Sequence, residues 1–322
     1  MVRRFLGFAL GSLALVAVLF GCASPSPADP PPTPLRAVGI APPPASGSAS
    51  SNAEDERYVA YTMLDQGVGG LFLWDELTLD VTLLNGALSG LNVLADVSLQ
   101  PRVFAGGKKL LFTVGAKAFF WDMKTEERTT PVTDGRAALL GGPQAVVTPD
   151  GKWIAYVSKR ETLVLKRVDG PTISKTVEPS QVAAEGVVLD LDMTADGTLL
   201  ILNIDGRIFL FDVLLRQLAL ITPLDAEALG RNAHELRKVA VSPLGSAFAS
   251  SWNTGRVLLL DPTGRIVETL PVLGADGERI VDLYFLSENV LILETECRGN
   301  LRVWRYDRLT GLLRGLVSSL IE

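Results

Sequence analysis

Five polar side chains recur at one position of a repeated strand, and they hold most of the chemistry this chain offers. Counting seven residues back from a recurring turn gives Gln100, Gln144, Asp190, Lys238 and Asp282. The next position along is apolar throughout (Pro101, Ala145, Leu191, Val239, Leu283), as the two-residue period of a strand requires. Two positions beyond the polar column stand Arg102, Val146, Asp192, Ala240 and Tyr284, so the same strand face carries a second, mixed row. Asp190, Asp192 and Asp282 are hard oxygen donors of the kind a divalent cation takes, and would equally serve as acids. Structural carboxylates, or a solvated rim where strands begin, fit the same residues.

The remaining inventory is thin. His234 is the single histidine, a surface residue by its context, which leaves little material for imidazole catalysis or a His-based metal site. Cys297 follows Glu294 and Glu296 in a hairpin, with no basic neighbour in sequence to activate its thiol. Gly-rich phosphate loops, serine elbows and metal-spaced cysteines are missing from the sequence. No catalytic residue, metal ligand or cofactor is assigned. The candidate binding residues are those of the two rows: Gln100, Gln144, Asp190, Lys238 and Asp282, with Arg102, Asp192 and Tyr284.

The elements that position these residues come from a repeat. A stretch closing on Trp74-Asp75, Trp121-Asp122, Val168-Asp169, Phe211-Asp212, Leu260-Asp261 and Tyr306-Asp307 recurs at intervals of 43 to 49 residues. That is near the period of a four-stranded propeller blade. A turn recurs in step at Gly106-Gly107, Pro149-Asp150-Gly151, Ala195-Asp196-Gly197, Pro243-Leu244-Gly245 and Ser287-Glu288-Asn289. Proline presets φ, aspartate bonds its own backbone and glycine accepts positive φ, so Pro149-Asp150-Gly151 is suited to a tight turn. After it Trp153-Ile154-Ala155-Tyr156-Val157 reads as a buried strand, and Tyr58-Val59-Ala60-Tyr61 fits the same slot in the first repeat. Six repeats fill the chain from about Arg57 onward. Strands apolar on both faces suit blades stacked on blades, and radial closure protects the sheet edges.

The expected fold is therefore all-β, a six-bladed β-propeller of four-stranded antiparallel blades occupying residues 54–322. The first repeat has no obvious innermost strand, so closure either borrows Leu35 to Ile40 or leaves one blade with three strands. The innermost strands line the channel, and the polar column rings one mouth of it. The long loops entering those strands, Asn85 to Leu99, Thr133 to Pro143 and Pro223 to Leu236, share that mouth.

The N-terminus reads as an address. Arg3 and Arg4 precede an apolar run from Phe5 to Phe20, too short for a comfortable membrane span, and Leu19-Phe20-Gly21-Cys22 closes it. This resembles a bacterial lipoprotein signal over residues 1–21, which implies acylation of Cys22. Ala23 in place of aspartate implies the outer membrane, facing the periplasm. Residues 22–53 are rich in Pro, Ser and Ala, cannot bury enough apolar surface to order themselves, and read as an extended tether.

Pro149-Asp150-Gly151-Lys152 with Ile154-Ala155-Tyr156 resembles the blade motif of TolB-type and WD-repeat-like bacterial propellers. The resemblance spans the region after the tether and implies the fold. The chain holds 322 residues, 48% of them hydrophobic, with a formal net charge of -6. An acidic chain without a basic face is a poor nucleic-acid binder. The combined expectation is a lipid-anchored, non-enzymatic interaction scaffold for protein or peptide partners in the cell envelope. A propeller enzyme, or a small-ligand or metal receptor working at the channel mouth, is the alternative.

Overall fold

Strands follow one another with short turns, so each sheet forms as a meander. The computed structural model describes residues 57–65, 68–91, 99–136, 145–169, 172–221, 236–252, 255–270, 279–297 and 300–318. These form six antiparallel sheets in which sequence neighbours are sheet neighbours. Blade 1 holds β1 (Tyr58–Asp65), β2 (Val68–Asp75) and β3 (Val81–Leu83). Blade 2 holds β4 (Arg102–Phe104), β5 (Lys109–Val114), β6 (Lys117–Asp122) and β7 (Glu127–Val132). Blade 3 holds β8 (Ala145–Val147), β9 (Trp153–Val157), β10 (Leu163–Asp169) and β11 (Thr172–Val177). Blade 4 runs through β12 (Val188–Met193), β13 (Leu199–Ile204), β14 (Arg207–Asp212) and β15 (Gln217–Leu220). Blade 5 runs through β16 (Leu236–Val241), β17 (Phe248–Trp252), β18 (Val257–Leu260) and β19 (Ile266–Leu270). Blade 6 ends the chain with β20 (Arg279–Phe285), β21 (Val290–Cys297), β22 (Asn300–Asp307) and β23 (Leu312–Ser318). Two short helices, α1 (Asn85–Leu88) and α2 (Ser180–Glu185), sit on the connections that enter β4 and β12.

The fold is thus an all-β six-bladed propeller. Five blades have four strands, and blade 1 has three among the described residues. Tyr58 to Tyr61 do occupy the second-strand slot, because β1 pairs with β2 as β5 pairs with β6. Leu35 to Ile40, the signal and tether segments and His234 lie outside the described residues, as does most of the Pro223 to Leu236 loop.

Burial runs radially. Second and third strands such as β5, β6, β13 and β14 carry four or more consecutive buried residues, because a blade lies on either side of them. Outer strands β7, β15 and β19 are largely exposed. The core divides into six apolar clusters, and each sits at one seam between neighbouring blades. Leu71 and Phe112 meet at the seam of blades 1 and 2, Phe104 and Tyr156 at the next, and Leu165 and Phe211 at the one after. Leu210 and Phe248 join blades 4 and 5, Leu259 and Leu293 join 5 and 6, and Tyr61 and Ile292 join 6 back to 1. A ring with six packed seams is closed.

The recurring aspartates are turn devices. The carboxylates of Asp75, Asp122, Asp212 and Asp307 each accept backbone N–H groups two and three residues on, tying the turn between third and fourth strands. In the first turn of blade 3, Asp150 accepts from Thr148 Oγ1 (2.7 Å) and Lys152 N (3.0 Å), and Asp196 repeats this with Thr194 and Thr198 in blade 4. Gly151 and Gly197 sit at φ 72° and 71°, and a Cβ at either would meet an aromatic ring of the preceding blade at 3.0 Å. Blade 5 has Leu244 where blades 3, 4 and 6 carry an acid. Glu288 of blade 6 takes over that role, accepting from Ser242 Oγ (2.8 Å), Leu244 N (2.9 Å) and Ser246 Oγ.

Glu288→Ala should loosen the first turn of blade 5 and cost about 1–2 kcal/mol, because three donors lose their acceptor at once. Urea denaturation of the variant against the parent measures it; Ser246→Ala, removing one exposed donor, should cost less.

Candidate functional site

The first strands of neighbouring blades lie side by side around the channel, β8 by β12, β12 by β16 and β16 by β20. Each of β12, β16 and β20 slips register against its partner just before its polar residue, between Val188 and Asp190, Leu236 and Lys238, and Ile280 and Asp282. A β-bulge re-aims the side chain that follows it. Three bulges at one level therefore turn Asp190, Lys238 and Asp282 toward one another.

These residues are not a solvated rim. Side-chain exposure is 8% for Asp190, 14% for Lys238, 3% for Asp282 and 17% for Arg102. Charges this enclosed must be paired and hydrogen-bonded, and they are. Arg102 Nη1 and Nη2 donate to the two Asp282 oxygens at 2.6 and 3.0 Å, a bidentate fork, while its guanidinium lies 3.9 Å from the Tyr284 ring centroid. Lys238 Nζ donates to Asp190 Oδ1 at 3.3 Å. The Tyr284 hydroxyl donates to Ala60 O of β1 at 3.3 Å, which fastens blade 6 to blade 1.

Asp190 and Asp192 do a second job. The N–H of Val239 donates to Asp190 Oδ2 at 2.7 Å and that of Val241 to Asp192 Oδ2 at 3.0 Å. Carboxylates two residues apart on β12 thus serve amides two residues apart on β16, which has no ladder partner on its inner side among the described residues. Met193 N also donates to Asp192 Oδ1 at 2.9 Å.

Charge states follow the neighbours. Burial works against Asp282, but Arg102 outweighs it and holds the carboxyl below its ordinary range. Burial would lower Lys238, yet Asp190 and Asp282 together push it up and keep it charged. Burial pushes Asp192 up to about 7, with the Val241 amide and Arg102 opposing. It is the one member of the group with no side-chain ion pair among the described residues.

Asp192, Arg102 and Tyr284 form the floor of an open funnel with a cavity of about 90 Å³. Its wall is Val147, Pro149, Met193, Val241, Pro243 and Phe285, so it opens at the end where the first-to-second turns lie. The sequence reading put the working mouth at the opposite end, beside the entry loops. Gln100 is half-buried two residues before β4, and Gln144 lies outside the described residues. Among the described residues no group of three or more His, Cys, Asp or Glu side chains comes together to hold a metal, since the acids are spread over amides and cations. What spacing did not disclose is the second use of Asp190 and Asp192 as acceptors for the next blade. The only sequence signal for it is the Asp-Leu-Asp alternation itself.

Two substitutions test this geometry. Arg102→Met leaves Asp282 buried and unpaired and should cost on the order of 3–5 kcal/mol, whereas Arg102→Met with Asp282→Leu should recover most of it. Asp192 has a folded-state pKa of about 7 against about 3.9 in the unfolded chain, so the folded protein binds the extra proton. Its contribution is fully present below about pH 4 and is lost as pH rises through about 7. Asp192→Asn removes this titration and should flatten the decline between about pH 4 and 8, read by denaturant melts across pH. Its NH2 cannot accept one of the two N–H groups that Asp192 now takes, so at about pH 4 the variant should be less stable than the parent.

No protein-family model matches the sequence, and no curated protein matches it either. Solved structures do match the fold. The β-propeller domain of Cps50 (Swd1) from Myceliophteria thermophila superposes with a TM-score of 0.52 at 15% identity, covering 81% of this chain and 83% of that one. TolB from Acinetobacter baumannii gives a TM-score of 0.58 at 13% identity over 80% of this chain and 62% of that one. At these identities the likeness is one of fold: the chain is a β-propeller of TolB-like and WD-repeat-like architecture.

Proposed function

We propose that this protein is a non-enzymatic interaction scaffold, held to a bacterial envelope membrane through acylated Cys22 and a tether over residues 22–53. The observation that carries the scaffold reading is the distribution of exposed leucine. In an antiparallel meander the first-to-second and third-to-fourth turns lie on the same face. The third-to-fourth turns carry Leu77 (74% exposed), Leu214 (75%) and Leu309 (77%), and the first-to-second turn of blade 5 carries Leu244. The funnel opens on that same face. Apolar side chains set out around a polar-floored opening are what a protein-binding surface presents.

The charged core supports the same reading from the other side. Arg102, Lys238, Asp190 and Asp282 are spent on one another and on backbone amides. Groups so committed hold blades together. The N-terminal signal supports an envelope setting, because a cysteine directly after an apolar run is the acylation pattern, and two or three acyl chains anchor stably where one does not.

Leu77→Ser, Leu214→Ser and Leu309→Ser combined should leave the melting temperature within a few degrees and abolish cross-linking of the full chain to its envelope partners. Cys22→Ser should leave an unprocessed precursor. Unchanged cross-linking, or normal processing and membrane retention of the serine variant, overturns the corresponding half of the proposal.

A further inference from the structure

We propose that the funnel receives a lysine or arginine side chain of a partner protein, with Asp192 as its counter-ion. The inference rests on the funnel face being the one that meets protein partners. It begins with the charge count at the funnel floor, where Arg102 and Lys238 face Asp190, Asp192 and Asp282. Two ion pairs, Arg102 with Asp282 and Lys238 with Asp190, use up both cations. Asp192 is left with two backbone N–H donors, from Met193 and Val241, and no cation hydrogen-bonded to it. It lines the open space of the funnel, where the other two acids do not.

The surroundings select the form of the cation. A bare metal ion wants several oxygen ligands, and the other two acids are turned to their own partners. A free anion would meet a floor whose guanidinium is already forked to a carboxylate. The wall above Asp192 is apolar, with Val147, Met193, Val241, Pro149, Pro243 and Phe285. An aliphatic stem packs against such a wall while its charged end reaches the carboxylate, which is how long basic side chains divide their two halves. The cavity is small, about 90 Å³, which limits its occupant to one slender side chain.

The site is sensitive to pH. Asp190 on its own strand and Arg102 from β4 act directly on Asp192, and Tyr284 from β20 and Tyr58 from β1 line the same space. Lys238 of β16 and Asp282 of β20 are turned to Asp190 and Arg102, and β8 contributes only apolar side chains. Burial holds Asp192 at about 7, so near neutral pH it is part-protonated, and an arriving cation would favour the ionised form. Binding should tighten as pH rises through that value.

The probes are capped alanine pentapeptides with lysine, arginine, norleucine or glutamate at the centre, titrated into the full chain in neutral detergent and followed by nuclear magnetic resonance. At about pH 8 the lysine and arginine peptides should bind roughly tenfold or more tighter than norleucine, the uncharged isostere of the stem. That preference should shrink severalfold at about pH 5.5 and vanish in Asp192→Asn. Equal binding of lysine and norleucine peptides, a preference for glutamate, or a lysine preference that survives Asp192→Asn each overturns the inference. The norleucine comparison needs no protein variant, so it decides even if Asp192→Asn misfolds. If the leucine variants lose their partner while the peptides show no lysine preference, this inference fails and the scaffold reading stands. If the lysine preference holds while cross-linking ignores the leucines, the scaffold reading fails and the basic-side-chain site stands.

Discussion

Each sheet of this protein is apolar on both faces, and such a sheet persists in water only with another packed on each side. That constraint governs the rest of the structure. Six sheets satisfy it by forming a ring, and the six apolar clusters lie at the seams between blades. At roughly 25 cal/mol per Å² of apolar surface removed from water, the seams supply the main favourable term in folding. No blade has a core of its own to fall back on.

Closing a ring of sheets creates a second problem at its axis. The inner edges of the first strands converge there, with amides that have no ladder partner among the described residues. Asp190 and Asp192 answer part of this by accepting the amides of Val239 and Val241. Those carboxylates are costly to bury, and Lys238 and Arg102 offset that cost for the group. In blade 1 the described strands begin at the second position. There Arg102 of blade 2 reaches Asp282 of blade 6, and Tyr284 ties blade 6 to Ala60. A long planar cation stacked on an aromatic ring thus links the blades on either side of blade 1.

The ionic layer and the proposed binding face are two consequences of one arrangement. Five charged groups cannot all pair one to one, and the odd acid, Asp192, is the one that lines the funnel. Around that opening the turns need aspartate and glycine for their geometry but place no demand on the tip residues. Leu77, Leu214 and Leu309 occupy these unconstrained positions and remain exposed. Structural necessity thus leaves a small set of places where a surface can be specified freely.

Much of this was legible in the chain before any coordinates. The recurrence of Asp75, Asp122, Asp212, Asp261 and Asp307, with the turn at Pro149-Asp150-Gly151, determined blade number, strand order and the slot of Tyr58 to Tyr61. These are local matters, because an aspartate reaches amides two or three residues away and a glycine answers to its own φ. Tertiary structure alone decided what the polar column does. Arg102 and Asp282 are 180 residues apart, and the acceptor for the first turn of blade 5 comes from Glu288 in the next blade. The same alternation of Asp190 and Asp192 suits a solvated rim or a buried layer, and three bulges together with the closeness of the neighbouring blades selected the layer. Burial is a property of what packs alongside, and in a closed ring each blade's neighbours are supplied by stretches of chain that local spacing does not connect.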